Sequence, residues 1–152
     1  MIVLGIDPGS VSGAYAFMDT DDQMIPIVGD LPVANRMVDA AQFSRLVQFF
    51  QPKAAIVEQV SAMPKQGATS GFRFGQGVGI IHGVIQASGV AMHLVPASAW
   101  KKHYRLTSDK ELSRSMAIRF FPLVEGLHLK KHHGRAEALL LAQYLRTQVY
   151  KL

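Results

Sequence analysis

The alternation of apolar and polar stretches along the chain predicts short strands followed by longer helices. Residues 2–6, with the sequence IVLGI, form a continuous apolar run that is typical of a buried strand. The turn-forming segment PGSVSG separates this run from a second apolar strand, AYAFM. A weaker third strand, MIPIV, contains a proline, which favours a position at the edge of a sheet. We therefore expect three antiparallel strands joined by tight turns.

The rest of the pattern predicts helices that alternate with two further strands. Helical spacing covers residues 40–50, and AAIV then leads into Glu58 as a fourth strand. The fifth predicted strand is VAMHLV. The other helices are predicted over residues 70–88, 97–103, 109–121 and 133–149. A three-strand meander followed by helical crossovers predicts an α/β fold, with a mixed five-stranded sheet flanked by helices.

Composition adds that the chain is a folded protein of ordinary size. With 152 residues, 49% of them hydrophobic and 18% charged, it is expected to form a single domain over residues 1–152. The absence of cysteine excludes disulfides and thiolate metal sites. No basic leader or membrane-length apolar segment occurs, so we expect no membrane association and a cytoplasmic location.

The positive charge is concentrated near the C-terminal end. Residues 97–152 hold 11 Lys and Arg against 4 Asp and Glu, a formal charge of +7, whereas the remainder holds 5 against 7, a formal charge of −2. A basic third of this kind suits a polyanion such as nucleic acid. A solvated basic face is the alternative interpretation.

Three acidic residues stand directly after or inside apolar runs. Asp7 follows IVLGI, Glu58 follows AAIV, and Glu137 lies within the helical stretch HHGRAEALLLAQYL. If the first and fourth strands are parallel neighbours, the first two carboxylates meet at one edge of the sheet, and the last helix could bring the third to them. Each alone could be an acid in a turn. Together they predict a carboxylate cluster for Mg²⁺, because repelling carboxylates are commonly held by a divalent cation with hard oxygen ligands.

Five segments of the chain resemble, in the same order, those of the RuvC family of Holliday-junction resolvases, particularly its small phage-type members. The segments are IVLGIDPGSVSGAYAF, IVEQV, GQGVGIIHGVI, VPASAWKKHYRLTSDKE and HHGRAEALLLAQYL. The resemblance implies a ribonuclease H-like fold, a homodimer, and cleavage of four-way DNA junctions with a divalent metal. It also implies that Asp7, Glu58 and Glu137 take the positions of family carboxylates.

The chain departs from the family pattern one turn before Glu137, where a further acidic residue is expected. His133 and Gly134 are the residues at this spacing, and only the histidine has a side chain that can bind metal. Because residues four apart share a helix face, we predict that His133 completes the site as a metal ligand or a general base. His132 is the rival, and a surface histidine without a function is the third possibility. Phosphodiester hydrolysis would then use two Mg²⁺ ions per site, with Mn²⁺ as a substitute.

Substrate binding is predicted for basic and aromatic residues outside this cluster. Basic side chains are candidates for phosphate contacts, and a ring beside them could stack in an unpaired junction centre, although core packing is the simpler explanation for at least one ring. The predicted DNA-binding residues are Lys65, Phe72, Arg73, Phe74, Lys101, Lys102, Arg105, Lys110 and Arg114.

Glycines recur every fourth residue along the helix predicted over residues 70–88. Gly71, Gly75, Gly79 and Gly83 form this stripe, although each glycine costs about 1 kcal/mol in a helix relative to alanine. Another backbone must therefore come close, either the sheet or the same helix of a second subunit.

Other functions stay open on the sequence. A ribonuclease H-like nuclease could cut RNA or another branched DNA, and a non-catalytic nucleic-acid-binding module or an ATP-binding domain would belong to a different class.

Overall fold

The protein is described here by a computed structural model, which covers residues 1–9, 13–62 and 64–152. The described strands are β1 (Ile2–Asp7), β2 (Ala14–Asp19), β3 (Ile27–Asp30), β4 (Val33–Ala34), β5 (Met37–Val38), β6 (Ala54–Gln59) and β7 (Ala91–Pro96). The described α-helices are α1 (Ala40–Phe50), α2 (Ala68–Ala87), α3 (Ala97–His103), α4 (Lys110–Phe120) and α5 (His133–Tyr144). Residues 10–12 of the predicted turn after Asp7 lie outside the described residues.

A mixed five-stranded sheet forms the centre of the structure, in the order β3-β2-β1-β6-β7. The first three strands form the predicted antiparallel meander. β6 pairs with β1 in parallel, and β7 pairs with β6 in parallel. The predicted fold class is confirmed, including the edge position of the third strand. That strand begins at Ile27, not at Met24, because Pro26 has no amide hydrogen to donate to a neighbouring strand.

A short hairpin between β3 and α1 was not predicted. β4 and β5 have two residues each, and they pair through a turn in which Asn35 and Arg36 both have positive φ, of 53° and 60°. Two adjacent left-handed residues are typical of a tight hairpin turn. Strands of two residues are too short to produce an alternating pattern, so the sequence carries no signal for them.

The sheet separates two apolar cores. On one face, Leu4 and Phe17 pack with Phe43 of α1 and Ile81 of α2. On the other face, a larger core contains side chains from α3, α4 and α5, including Trp100, Ala117 and Leu139. The two cores explain why β1 is buried along both faces, as its continuous apolar run predicts.

Helix α5 crosses β1 at very short range. A Cβ atom added at Gly5 would overlap the carbonyl oxygen of Ala138 and lie 2.7 Å from the amide nitrogen of Ala142. Glycine on the strand and alanines on the helix therefore allow the two backbones to meet. This crossing carries Glu137, the neighbour of Ala138, into the interior.

Two helix boundaries differ from the prediction. α2 begins at Ala68, two residues before the predicted start at residue 70. The last helix changes after Tyr144 into a π-helical segment, Leu145–Val149. Among the described residues, no helix is both long enough and apolar enough to cross a membrane.

Candidate active site

Asp7 and Glu58 lie at neighbouring strand ends, as predicted. Asp7 is the last residue of β1, and the register pairs Ile6 with Val57, so that Glu58 follows at the same edge of the sheet. Parallel strands present their carboxyl ends on one side, which is where open α/β folds bind ligands. The prediction that these two strands are parallel neighbours is confirmed.

Glu137 approaches the same edge from α5. Its side chain is only 3% exposed. Burial raises the pKa of both Asp7 and Glu58, and the negative charge of Glu137 adds to each rise. The three acids that the sequence selected therefore interact electrostatically at this edge of the sheet.

The carboxyl group of Asp7 is the most strongly perturbed of the three. Burial, followed by the charges of Glu137 and Glu58, raises the pKa of Asp7 to about 7. The amide of Gly9 donates a hydrogen bond of 3.1 Å to Asp7 Oδ1, which favours the ionised form, as does the charge of Lys110. A buried acid whose pKa lies near neutrality is typical of functional sites.

Glu58 is positioned by the tryptophan of α3. Trp100 Nε1 donates a hydrogen bond of 2.8 Å to Glu58 Oε2, and the indole ring is fully buried. Burial raises the pKa of Glu58, the Trp100 bond opposes this rise, and the charge of Glu137 adds to it. Sequence reasoning missed Trp100 as a partner because the hydrogen bond joins residues 42 positions apart.

Two lysines and a serine surround the buried carboxylate of Glu137. Lys101 Nζ and Lys110 Nζ lie 3.8 Å and 4.0 Å from Glu137 Oε1. Ser113 Oγ donates a long hydrogen bond of 3.4 Å to the same oxygen. Lys101 also lies 5.5 Å from the centre of the Trp100 ring, a cation–π distance. Both lysines were predicted as DNA contacts, which stays a prediction, and the structure places their ammonium groups beside Glu137.

The donor set fits a hard divalent cation by its chemistry, although not by its present spacing. Three carboxylates that repel one another offer the oxygen ligands that Mg²⁺ and Mn²⁺ accept. In residues 1–9, 13–62 and 64–152, however, no three histidine, aspartate or glutamate side chains are grouped closely enough to hold a metal ion. The ammonium groups of Lys101 and Lys110 supply positive charge beside Glu137 in this arrangement.

His133 is the first residue of α5 and is half-buried. Its Nδ1 atom is buried and has no hydrogen-bond partner within the described part of the chain. The same helical turn lies against Asp7, because a Cβ atom added at Gly134 would be 3.4 Å from Asp7 Oδ2. A buried ring nitrogen without a partner next to an acidic cluster is compatible with a ligand or a base, and the role of His133 stays a prediction.

His132, the rival histidine, is buried and has a structural contact. Its Nδ1 accepts a hydrogen bond of 3.2 Å from the amide of Leu129, just before α5. Burial lowers the pKa of His132, as do the charges of Arg135, His128 and Lys131. His132 is therefore not a surface histidine, because its side chain is buried in the turn that precedes the helix.

The predicted DNA-binding residues in α2 and just before it differ in their exposure to solvent. Lys65 is exposed in the segment between β6 and α2, and Arg73 is exposed one turn into the helix. Phe72 is 70% exposed, whereas Phe74 is half-buried. Core packing therefore accounts in part for Phe74 but not for Phe72.

The remaining predicted DNA-binding residues differ in whether their side chains are free to contact a phosphate. Lys102 and Arg105 are exposed at the end of α3 and just beyond it. Arg114 is mostly buried, and its guanidinium pairs with both oxygens of Glu111 at 2.9 and 3.1 Å. It also donates to the carbonyl groups of residues 127 and 128. A phosphate would have to displace these contacts, so Arg114 acts in the structure as a clamp between α4 and the following segment.

Comparison with known proteins finds similarity in structure and not in sequence. No family model matches the sequence, and no curated protein matches it either. RuvC of T. thermophilus in complex with a Holliday junction substrate superposes with a TM-score of 0.75 at 16% identity, over 99% of this chain and 96% of that chain. The fowlpox virus Holliday junction resolvase gives 0.58 at 14% identity, over 97% and 99%.

A third similar structure extends the comparison to a eukaryotic protein. The yeast mitochondrial Holliday junction resolvase Ydc2 gives a TM-score of 0.59 at 16% identity, over 98% of this chain and 82% of that chain. The three solved proteins come from a bacterium, a virus and a mitochondrion. The chain has the ribonuclease H-like fold of RuvC and of these other Holliday junction resolvases.

Proposed function

We propose that the chain is a single nuclease domain that resolves four-way DNA junctions by metal-dependent phosphodiester hydrolysis. The observation that carries the proposal is the meeting of Asp7, Glu58 and Glu137 at one edge of the sheet, with two lysines beside them. The similarity to RuvC in complex with a junction substrate supports the choice of DNA.

The three carboxylates would hold divalent cations, which we propose to be two Mg²⁺ ions that Mn²⁺ can replace. When bound, such ions activate water and stabilise the leaving oxygen. Asp7 would be a ligand in its ionised form. Glu58 and Glu137 would also be ligands. Trp100 positions Glu58 by a hydrogen bond, and Ser113 does the same for Glu137. We propose that His133 completes this set as a ligand or as the base that accepts a proton from water.

The lysines have a second purpose in this proposal. Lys101 and Lys110 reach the carboxylate cluster and act electrostatically on Glu58 as well as on Glu137. A phosphodiester bound at this edge would meet their ammonium groups, which can stabilise the negative charge that develops during hydrolysis. The exposed residues Lys65, Lys102 and Arg105 would contact phosphates farther away.

We further propose that the chain works as a homodimer, with α2 in the interface. Cβ atoms added at Gly75, Gly79 and Gly83 would meet nothing within 4 Å. The sheet of the same chain therefore does not pack closely against these three glycines. We propose that a second subunit provides the backbone that packs against them. The phage-type relationship and a cytoplasmic location in a bacterial host stay predictions.

The test is a cleavage panel that separates this function from its alternatives. Purified protein is incubated with a synthetic four-way junction, a linear duplex, a flap and an RNA–DNA hybrid, each with Mg²⁺ and with a chelator. We expect Mg²⁺-dependent cutting of the junction in preference to the other three substrates. Preferred cleavage of the hybrid or the flap would point to a different ribonuclease H-like nuclease. Binding without cleavage at any Mg²⁺ concentration would indicate a non-catalytic module.

A further inference from the structure

A cleft of about 600 Å³ opens beside the carboxylate edge, between the unpredicted β4–β5 hairpin and the first half of α2. Its lining includes Pro8 and Gly9 of the segment after β1, Arg36 and Met37 of the hairpin, and Arg73 of α2. The volume lies within the range of ligand-binding pockets in proteins.

The walls of the cleft are fixed relative to each other. Met37 Sδ and Val38 Cγ2 lie 4.0 and 3.8 Å from the position that a Cβ atom would have at Gly77 of α2. The hairpin therefore packs directly on the helix. The left-handed conformation of Arg36, with φ of 60°, places this arginine at the tip of the tight turn.

The charge of the cleft is positive. Arg36 and Arg73 are both exposed, and neither forms an ion pair with the part of the chain that the structure describes. The described lining contains no carboxylate. A guanidinium group binds phosphate oxygens through paired donors, so two arginines on facing walls suit a phosphodiester.

The cleft is continuous with the candidate active site. Gly9, which lines it, donates its amide hydrogen to Asp7 Oδ1 at 3.1 Å. If one phosphate of a DNA strand lies at Asp7, the next phosphates of the same strand can reach the cleft. We propose that the cleft is a phosphodiester-binding subsite, in which Arg36 and Arg73 hold the backbone of a DNA strand next to the carboxylates. This inference rests on the proposed function for its choice of DNA.

Binding titrations test the subsite with a matched control. Arg36→Gly removes the charge and suits the left-handed turn, Arg73→Ala removes the second charge, and Arg119→Ala removes an exposed arginine from α4, on the opposite face of the sheet. Affinity for a fluorescent four-way junction is measured in chelator over a series of salt concentrations.

Each cleft variant is expected to make the negative slope of log affinity against log salt shallower by about 1, as for the loss of one phosphate contact. It should also bind roughly eightfold more weakly at about 0.1 M salt. Arg119→Ala should match the wild type. Cleft variants that keep the wild-type slope and affinity would overturn the proposal.

Crosslinking tests the same subsite without relying on the stability of these variants. Because the chain has no cysteine, Arg36→Cys provides a single reactive thiol, and Arg119→Cys is its control. The probe is a four-way junction that carries a thiol-reactive group on backbone phosphorothioates. Selective crosslinking at position 36 supports the subsite, and equal or absent crosslinking at position 36 contradicts it.

The two proposals fail in different ways. If the wild-type protein cuts no substrate in the cleavage panel, the proposed function is wrong, while the titrations still decide whether the cleft binds DNA. If the wild type cuts the junction but the cleft variants bind and crosslink like the Arg119 controls, only the subsite is wrong.

Discussion

Lys101 Nζ lies 3.8 Å from Glu137 Oε1, although the Glu137 side chain is only 3% exposed. Lys102, the next residue, is exposed to solvent. The sequence predicts a phosphate contact for both lysines, but the structure gives them different surroundings. Adjacent lysines therefore allow the site and the outer surface to be tested separately.

We expect Lys101→Met to lower the rate of junction cleavage by roughly 100-fold, because a positive charge beside the reacting phosphate is lost. Lys102→Ala should leave cleavage at saturating protein unchanged. It should weaken binding to junctions of every sequence. It should also make the negative slope of log affinity against log salt shallower by about 1. Single-turnover cleavage and salt-dependent binding distinguish the two effects. The same behaviour from both variants would contradict the assignment of Lys101 to the site.

Asp7→Asn is expected to abolish Mg²⁺-dependent cleavage and to leave junction binding nearly intact. The substitution removes a carboxylate from the cluster without changing the exposed basic residues. Glu58→Gln should behave in the same way. Cleavage assays and binding titrations on the same preparations provide the measurement. Strong residual Mg²⁺-dependent cutting by Asp7→Asn would remove the basis for the proposed function.

The stability of the metal-free protein should fall as the pH rises through neutrality, because of Asp7. Folding raises the pKa of this carboxyl from its usual 3.8 to about 7, so the folded state binds the proton more tightly than the unfolded state. The stabilisation is fully present below about pH 4, falls progressively as the pH rises to about 7, and is absent at higher pH, where the carboxyl is ionised in both states.

Asp7→Asn cannot ionise. Its stability relative to the wild type should therefore be higher at pH 8.5 than below pH 4, by on the order of 4 kcal/mol. Urea unfolding in chelator at several pH values measures the effect. Asp22→Asn is the control of opposite sign: Arg146 lowers the pKa of Asp22, so the wild-type residue adds stability that is lost on acidification. A pH-independent difference for Asp7→Asn would show that its carboxyl titrates normally.

The two histidines at the start of α5 should respond differently to truncation. His133→Ala is expected to cripple cleavage and to spare binding and stability, whereas His133→Asp, which restores the family's acidic residue, should retain activity. His132→Ala should lower the free energy of unfolding by about 1–3 kcal/mol, because a buried ring and its hydrogen bond from Leu129 are lost. Cleavage below the melting temperature and thermal unfolding separate these effects. Wild-type cleavage by His133→Ala would exclude this residue from the site.

The crossing of α5 over β1 should depend on the glycine at position 5. Gly5→Ala is expected to destabilise the fold by about 3 kcal/mol or more, because its Cβ atom would overlap the Ala138 carbonyl oxygen. Gly79→Ala on α2 is the matched control. A Cβ atom there meets nothing within 4 Å, so the substitution should stabilise an isolated subunit by about 1 kcal/mol. Urea unfolding compares both with the wild type. A harmless Gly5→Ala would mean that α5 does not cross as closely as described.

The sequence alone determined the main architecture and the three carboxylates. The continuous apolar run of β1, the turns of the meander and the strand-to-helix order all follow from local patterns, which depend on residues close together in the chain. Asp7 and Glu58 could be predicted as neighbours because both follow apolar strands, and the helix that precedes the second of these strands allows it to run parallel to the first.

Only the tertiary structure decided which side chains surround those acids. The pairing of Glu137 with Lys101 and Lys110, and of Glu58 with Trp100, depends on how α3, α4 and α5 pack on the sheet. No local pattern records such packing, since it joins positions that are 27 to 42 residues apart. The hydrogen bonds from Arg114 to the carbonyl groups of residues 127 and 128 also join separate elements. The bond between Leu129 and His132 and the hairpin that presents Arg36 are local, but they leave no periodic pattern in the sequence. Periodicity identifies the face that a residue occupies, whereas the partner it meets is chosen by the close approach of elements distant in the chain.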